Sequence, residues 1–203
     1  GIRSMNDITH ICLFDIPMLC SIPGLIYLAP TTCEEYFAML AWAIRQDCKP
    51  IALRVPTGGV VHSDAPVDED YGYRASYRVA HRGSPVAIIA AGSFYQKGEA
   101  VRALLAEQGI DATLINPRYL NEVDAETLDS LKPDHRLVVT LEDGCRDGGF
   151  GERIAAYYGT SDMKVMVGGV KKGLYDRYDP QQLMADNRLL DSQIVEDIVR
   201  VIG

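Results

Sequence analysis

Leu25-Ile26-Tyr27-Leu28-Ala29-Pro30-Thr31-Thr32-Cys33-Glu34-Glu35 opens the stretch that decides the fold class, and Ile51-Ala52-Leu53-Arg54-Val55-Pro56 closes it. The first apolar run is short and stops at Pro30, as a buried strand does. Thr31 and Thr32 follow, with Glu34 and Glu35 each three residues on. Either pair makes a capping box, and the carboxylates suit the positive end of a helix. The helix then runs from about Cys33 to about Gln46, with Tyr36, Met39, Leu40, Ala43 and Ile44 on its inward face. Asp47-Cys48-Lys49-Pro50 breaks it, and Ile51–Val55 reads as the next strand. A strand, a helix and a strand in this order imply parallel pairing with a right-handed crossover.

Downstream, residues 56–85 change character. Thr57-Gly58-Gly59, Asp64-Ala65-Pro66 and Gly83-Ser84-Pro85 are turn signals, and Tyr71, Tyr73 and Tyr77 interleave with arginines. The segment reads as a connection able to pack as short strands, with a hairpin around Tyr73–Ala80. A second α/β unit follows. Strands are expected at Val86–Ala91, Ala112–Ile115, Arg136–Leu141 and Lys164–Val167. Helices are expected at Lys97–Gln108, from the Asp124 cap to Leu131, and at Phe150–Tyr158, Pro180–Ala185 and Ser192–Ile202. Gly109 takes the usual C-terminal position of the first of these. Such alternation predicts a mostly parallel sheet covered on both faces.

Bulk properties narrow the function. The 203 residues suffice for one large or two small domains with a real core. A net charge of −8, with no dense Lys/Arg cluster, excludes nucleic-acid binding of the usual kind. No apolar run reaches the length of a membrane span, and the first residues lack a signal peptide's apolar core. The chain does not begin with Met, which suggests a start inside something larger. The five cysteines contain no CxxC pair, so no metal site is expected; they read mostly as small buried hydrophobes in a reduced, cytoplasmic setting.

Three places hold candidate chemistry. Asn6-Asp7-Ile8-Thr9-His10, followed by Phe14-Asp15, gathers an imidazole and two carboxylates in a loop-like stretch. Imidazole titrates near neutral pH, so His10 is a candidate for proton transfer or else a hydrogen-bonded structural residue. Arg54 stands at the end of a strand, where open α/β sheets place their ligands. It either pairs with an internal carboxylate or binds an anion. Glu142-Asp143-Gly144, followed by Gly148-Gly149-Phe150-Gly151-Glu152, joins a strand to a helix. The spacing does not match a dinucleotide fingerprint, and the carboxylates line the loop where a pyrophosphate needs donors. The glycines read as a tight turn with close helix packing.

Taken together, Thr9-His10, Phe14-Asp15, Ile22-Pro23-Gly24-Leu25, Ala29-Pro30 and Ala52-Leu53-Arg54-Val55-Pro56 resemble the second half of the pyrimidine-binding domain of the 1-deoxy-D-xylulose-5-phosphate synthase family. Thr140-Leu141-Glu142-Asp143-Gly144 with Gly148-Gly149-Phe150-Gly151 resembles the transketolase C-terminal domain that follows it. The resemblance runs over nearly the whole chain. It implies a partial pyrimidine-binding α/β domain at residues 1–60, an interdomain linker at 61–84, and a transketolase C-terminal-like three-layer α/β/α domain at 85–203, with a mostly parallel five-stranded sheet.

The same resemblance implies a thiamine-diphosphate- and Mg²⁺-dependent transferase that condenses pyruvate with glyceraldehyde 3-phosphate. Its product is 1-deoxy-D-xylulose 5-phosphate, with loss of CO₂, for isoprenoid and thiamine precursor synthesis. His10 matches a histidine that faces the thiazolium, and Arg54 an arginine that holds the acceptor's phosphate. The family usually carries an acidic residue four positions before the histidine; here Asn6 stands there, with Asp7 adjacent, and both are candidate substrate contacts. A second arginine often follows the first by three positions, where this chain has Thr57, and Arg3 matches an upstream arginine only with a gap. No Gly-Asp-Gly for Mg²⁺ occurs in these residues, and the activating glutamate of the family lies upstream of the matched part. The isolated chain is therefore expected to bind no cofactor and to be inactive. Its expected partner is a missing N-terminal part or complementary subunit, within a homodimer; neither nucleic acid nor membrane is expected. The alternative reading is a C-terminal subunit or assembly module of a transketolase or 2-oxoacid dehydrogenase.

Overall fold

Short apolar runs bounded by proline and glycine become the strands of two unequal sheets. The computed structural model describes residues 1–2, 11–56, 58–72 and 75–203. In the first unit a short helix α1 (Asp15–Leu19) precedes β1 (Ile26–Leu28), α2 (Cys33–Arg45) and β2 (Ile51–Leu53). The two strands pair in parallel, Ile26 opposite Ile51 and Leu28 opposite Leu53. Thr32 is the N-cap of α2, its hydroxyl accepting from the Glu35 N–H at 3.2 Å. Only half of the expected capping box forms. The Glu35 carboxylate turns instead to the N–H and hydroxyl of Thr31, at 2.7 and 2.9 Å.

The inward face of the helix differs from the one its apolar pattern gives. Its buried residues are Glu35, Met39 and Trp42, whereas Ile44, expected inward, is 75% exposed. A buried glutamate on the inward face is invisible to a pattern that counts only apolar side chains. Tyr71 closes over the stripe, its ring edge-on to Trp42 at 6.0 Å.

The second unit holds a five-stranded sheet. β3 (Arg78–His81), β4 (Val86–Ala90), β5 (Thr113–Asn116), β6 (Leu137–Cys145) and β7 (Lys164–Val170) lie in the order β3-β5-β4-β6-β7. β3 is an antiparallel edge and the other pairs are parallel. It lies in the stretch read as a connection and pairs with β5; the hairpin expected around Tyr73–Ala80 falls partly on residues 73 and 74, outside the described residues.

The helices are α3 (Tyr95–Glu107), α4 (Ala125–Leu131), α5 (Phe150–Tyr158), α6 (Pro180–Asp186) and α7 (Asp191–Ile202). Along β4, Ala87 and Ile89 face Leu128, Phe150 and Ile154, whereas Val86, Ile88 and Ala90 face Val101, Leu105 and Ile198. The period-2 alternation thus places α4 and α5 on one face and α3 and α7 on the other. This is the expected three-layer α/β/α arrangement.

β1 of the first unit docks onto the second through the segment after β5. The Ala29 N–H donates to Arg118 O at 2.7 Å, and the Leu120 N–H donates to Tyr27 O at 2.9 Å. Among the described residues no helix is long and apolar enough to cross a membrane. The cysteines are all free, but only Cys145 is buried; Cys12 and Cys48 are exposed, contrary to the reading of most of them as core residues.

Candidate functional site

Arg54 follows the last residue of β2, where the strand's end aims its side chain at the second unit. Its guanidinium is held on both sides by carboxylates. Nε donates to Asp15 Oδ2 at 2.6 Å, and Nη1 makes a short contact with Asp143 Oδ1. Asp15 belongs to the first turn of α1 and also accepts from the Tyr27 hydroxyl at 2.8 Å. Asp143 lies in β6, beyond the end of β4 in the sheet. The cluster is dry, with Arg54 and Asp143 side chains only 8% and 2% exposed.

Burial works against charge here, but Asp143 and Asp15 outweigh it and hold the Arg54 guanidinium well above the ordinary arginine range. Burial likewise opposes ionisation of Asp15, and Arg54 outweighs it, so that carboxyl lies below its usual range. Of the two readings of Arg54 open in the sequence, the structure contains the pairing with internal carboxylates. Asp143 Oδ2 is buried and has no hydrogen-bond partner among the described residues.

The glycine loop beside this cluster is also occupied from within. Glu142 is fully buried, and its two oxygens accept from the Phe150 and Gly151 N–H groups at 3.1 and 2.9 Å. These are the first orphan donors of α5, the place where a helix receives an anion. Burial pushes the Glu142 carboxyl up to about 7, against the opposing pull of those N–H groups and of Arg54.

The glycines fit for steric reasons. A Cβ at Gly149 would lie 2.5 Å from Cys145 O and 2.6 Å from Glu142, and one at Gly151 would lie 2.4 Å from Thr140 Oγ1. Close packing is thus what these glycines provide, as their spacing indicated. With the α5 terminus filled by Glu142, the donors of that helix start are taken and do not fit a diphosphate.

A second buried polar junction went unread in the sequence. Glu35, at the start of α2, also accepts from Asn116 Nδ2 at 3.1 Å, across the end of β5. Two residues on, Arg118 reaches Asp68 and the Ser76 carbonyl, and its guanidinium lies 5.9 Å from the Tyr71 ring. Arg118 has φ +59°, an unusual backbone state for a bulky residue and the one local sign of a constrained position. Beside this junction a cleft of about 370 Å³ opens, with Thr31, Glu35, His62, Gln96 and Asn116 in its wall. His10, Asn6 and Asp7, the other expected site residues, lie outside the described residues.

Comparison with known proteins places this geometry. The family model of the transketolase C-terminal domain matches residues 75–187. The 1-deoxy-D-xylulose-5-phosphate synthase of Clostridium acetobutylicum is 34% identical over 181 residues, covering 88% of this chain and 28% of the relative. That of Crocosphaera subtropica is 33% identical over 203 residues, covering 98% and 32%. The chain thus spans about a third of the length of the curated relatives it matches, as a C-terminal portion would.

Among solved structures, a split-gene transketolase described as an inactive β4 tetramer superposes with a TM-score of 0.79 at 21% identity, over 95% of this chain and 62% of that one. A Pichia stipitis transketolase in complex with sedoheptulose-7-phosphate gives 0.73 at 14% identity, over 98% and 28%. These two share the fold. The matched family model covers more than half of the chain: the chain belongs to the transketolase C-terminal-domain family.

Proposed function

We propose that the chain is the C-terminal portion of a thiamine-diphosphate-dependent transferase that joins pyruvate and glyceraldehyde 3-phosphate into 1-deoxy-D-xylulose 5-phosphate with loss of CO₂. In this reading residues 1–60 are half of a pyrimidine-binding domain, and the whole enzyme is a cytoplasmic homodimer. The first unit's open edge carries the reading. Ile26 N–H donates to Pro50 O and Arg54 N–H to Leu28 O at 2.9 and 2.8 Å, so β2 turns the N–H and C=O groups of Ile51 and Leu53 outward. Among the described residues the sheet has two strands. A two-stranded sheet is marginal by itself, and parallel sheets are normally covered and extended. Phe37, Ile44, Val55 and Val60 around it are 59%, 75%, 56% and 74% exposed. Such a face suits a domain whose other half is contributed elsewhere.

Thiamine diphosphate supplies the electron sink for decarboxylation when the rest of the protein binds it. His10 is proposed to move protons on the substrate, with Asn6 and Asp7 beside it. Arg54 is proposed to position the acceptor side of the site through Asp15 and Asp143, with its phosphate role dependent on release of one of those carboxylates.

The test compares the 203-residue chain with the whole encoded protein, in thiamine diphosphate and Mg²⁺. The whole protein is expected to release CO₂ from pyruvate only when glyceraldehyde 3-phosphate is supplied. The chain alone is expected neither to do so nor to bind the cofactor in calorimetry. Micromolar binding by the isolated chain, or a whole protein that leaves pyruvate untouched, overturns the reading. The likeness to a split-gene transketolase favours one further version, in which the complement is a separate subunit. Co-purification of such a chain would select it.

A further inference from the structure

We propose that Cys33, Glu34 and His62 form a binding site for one divalent transition-metal ion of the zinc type. Cys33 Sγ, a Glu34 carboxylate oxygen and a His62 ring nitrogen all lie within 4.8 Å of one another. Cys33 and Glu34 are the first two residues of α2, while His62 comes from the segment that crosses in front of that helix. The juxtaposition is built by the backbone: the Cys33 N–H donates to Val61 O at 2.8 Å, which fixes the histidine's neighbour against the helix start.

The donors suit such an ion in type and charge. A thiolate, an imidazole and a carboxylate are the ligands that zinc takes, and three protein ligands leave a fourth position for water or substrate. Thiolate and carboxylate together carry two negative charges, which balance a divalent ion beside the positive start of α2. Outer partners are present as well. The Ser63 N–H donates to Glu34 Oε2 at 3.0 Å and orients the carboxylate, as groups around a metal commonly do.

His62 Nδ1 and Glu34 Oε1 are 2.6 Å apart, bridged by a proton. Two ligands of a tetrahedral ion at about 2.0 Å each stand roughly 3.3 Å apart. Loading therefore requires the pair to open by less than an ångström. His62 is 71% exposed at its side chain and Glu34 37%, so both can move. The bridging proton and the thiol proton leave to solvent as the ion enters, which makes uptake weaken as the pH falls. Of the trio, His62 also forms part of the wall of the cleft lined by Thr31, Glu35 and Asn116.

Co²⁺ titration of the complete 203-residue chain tests this, with Zn²⁺ as competitor. A thiolate-to-cobalt charge-transfer band saturating at one equivalent and erased by Zn²⁺ is expected. Cys33→Ser should abolish the band, and His62→Ala should weaken binding by at least about tenfold. Cys48→Ser, at an exposed cysteine away from the trio, should change neither. Circular dichroism of each variant confirms that it is folded, and Glu34→Gln provides a second variant with the thiol intact. No band, a band that survives Cys33→Ser, or unchanged affinity in both His62→Ala and Glu34→Gln overturns the site.

Discussion

Arg54 and Arg188 each hold two carboxylates, yet they sit in opposite surroundings. Arg188 reaches Asp197 at 2.7 Å and Glu196 at 2.6 Å, with Arg200 adding a further contact to Asp197. All four belong to the last turns of the chain, and the Arg188 side chain is 45% exposed. Arg54 instead joins residues 39 and 89 positions away, on α1 and β6, in a largely buried site where only Asp15 keeps some exposure. The Arg188 network ties together groups that are already close in sequence, and water competes for Arg188, Glu196 and Arg200 although Asp197 itself is buried. The buried one ties the first unit to the second, and removing one member strands the others in a dry place. Identical chemistry is therefore decoration in one region and a joint in the other.

Breaking the joint should give the largest effect. Arg54→Met removes the cation shared by Asp15 and Asp143, leaving Asp15 with the Tyr27 hydroxyl, and is expected to cost about 3–5 kcal/mol in urea unfolding of the chain. A loss below about 1 kcal/mol would show that water reaches these carboxylates after all.

Glu142 sharpens the comparison through pH. Its folded carboxyl sits near 7 against an ordinary value of 4.5, so the unfolded chain releases the proton first as pH rises. Stability from this group is therefore full below about pH 4.5 and declines up to about pH 7, by roughly 3 kcal/mol in total. Glu142→Gln should flatten that segment of the stability–pH curve; an unchanged slope would assign the titration to another group. Asp15 acts in a lower window with the opposite sign: its contribution is present above pH 3.8, its ordinary value, and is lost as the pH falls below it.

Gly151→Ala should have a smaller effect, about 1–3 kcal/mol, because its Cβ would crowd Thr140 Oγ1 and Val167 Cγ1 at 2.4 and 2.5 Å. Wild-type stability in that variant would mean the α5 terminus shifts freely. Least of all, Arg188→Ala is expected to leave the urea midpoint unmoved, and a clear drop would place that network with the buried one.

The sequence carried much of this wherever the cause was local. Pro30 and Pro56 bound the strands of the first unit, Asp124 caps α4, and α5 runs over Phe150–Tyr158 as its pattern indicated. The glycine loop was readable as a packing device because two carboxylates stood where an anion's donors were needed. Partners far apart in the chain left no trace. Nothing near Arg54 points to Asp143, nothing near Glu35 to Asn116, and nothing in the spacing joins Cys33 and Glu34 to His62. Ile44 misled for a related reason: the α2 stripe includes a glutamate whose hydrogen-bond partners come from another element. β3 was foreseen only as part of a hairpin around Tyr73–Ala80, because Arg78, Val79, Ala80 and His81 include no buried residue and so show no apolar alternation that would mark the edge of a larger sheet.

The outward edge of β2 has a consequence for the life of the chain in a cell. Unpaired strand edges are templates, and a polypeptide that shows one invites its own copies as readily as its proper companion. Pro50 faces β1, where its carbonyl accepts from the Ile26 N–H, so its missing N–H does not blunt the outward groups of Ile51 and Leu53; the shortness of β2 is what limits the edge. A strand of three residues gives such pairing little length, and a short edge is one of the ways proteins hold it in check.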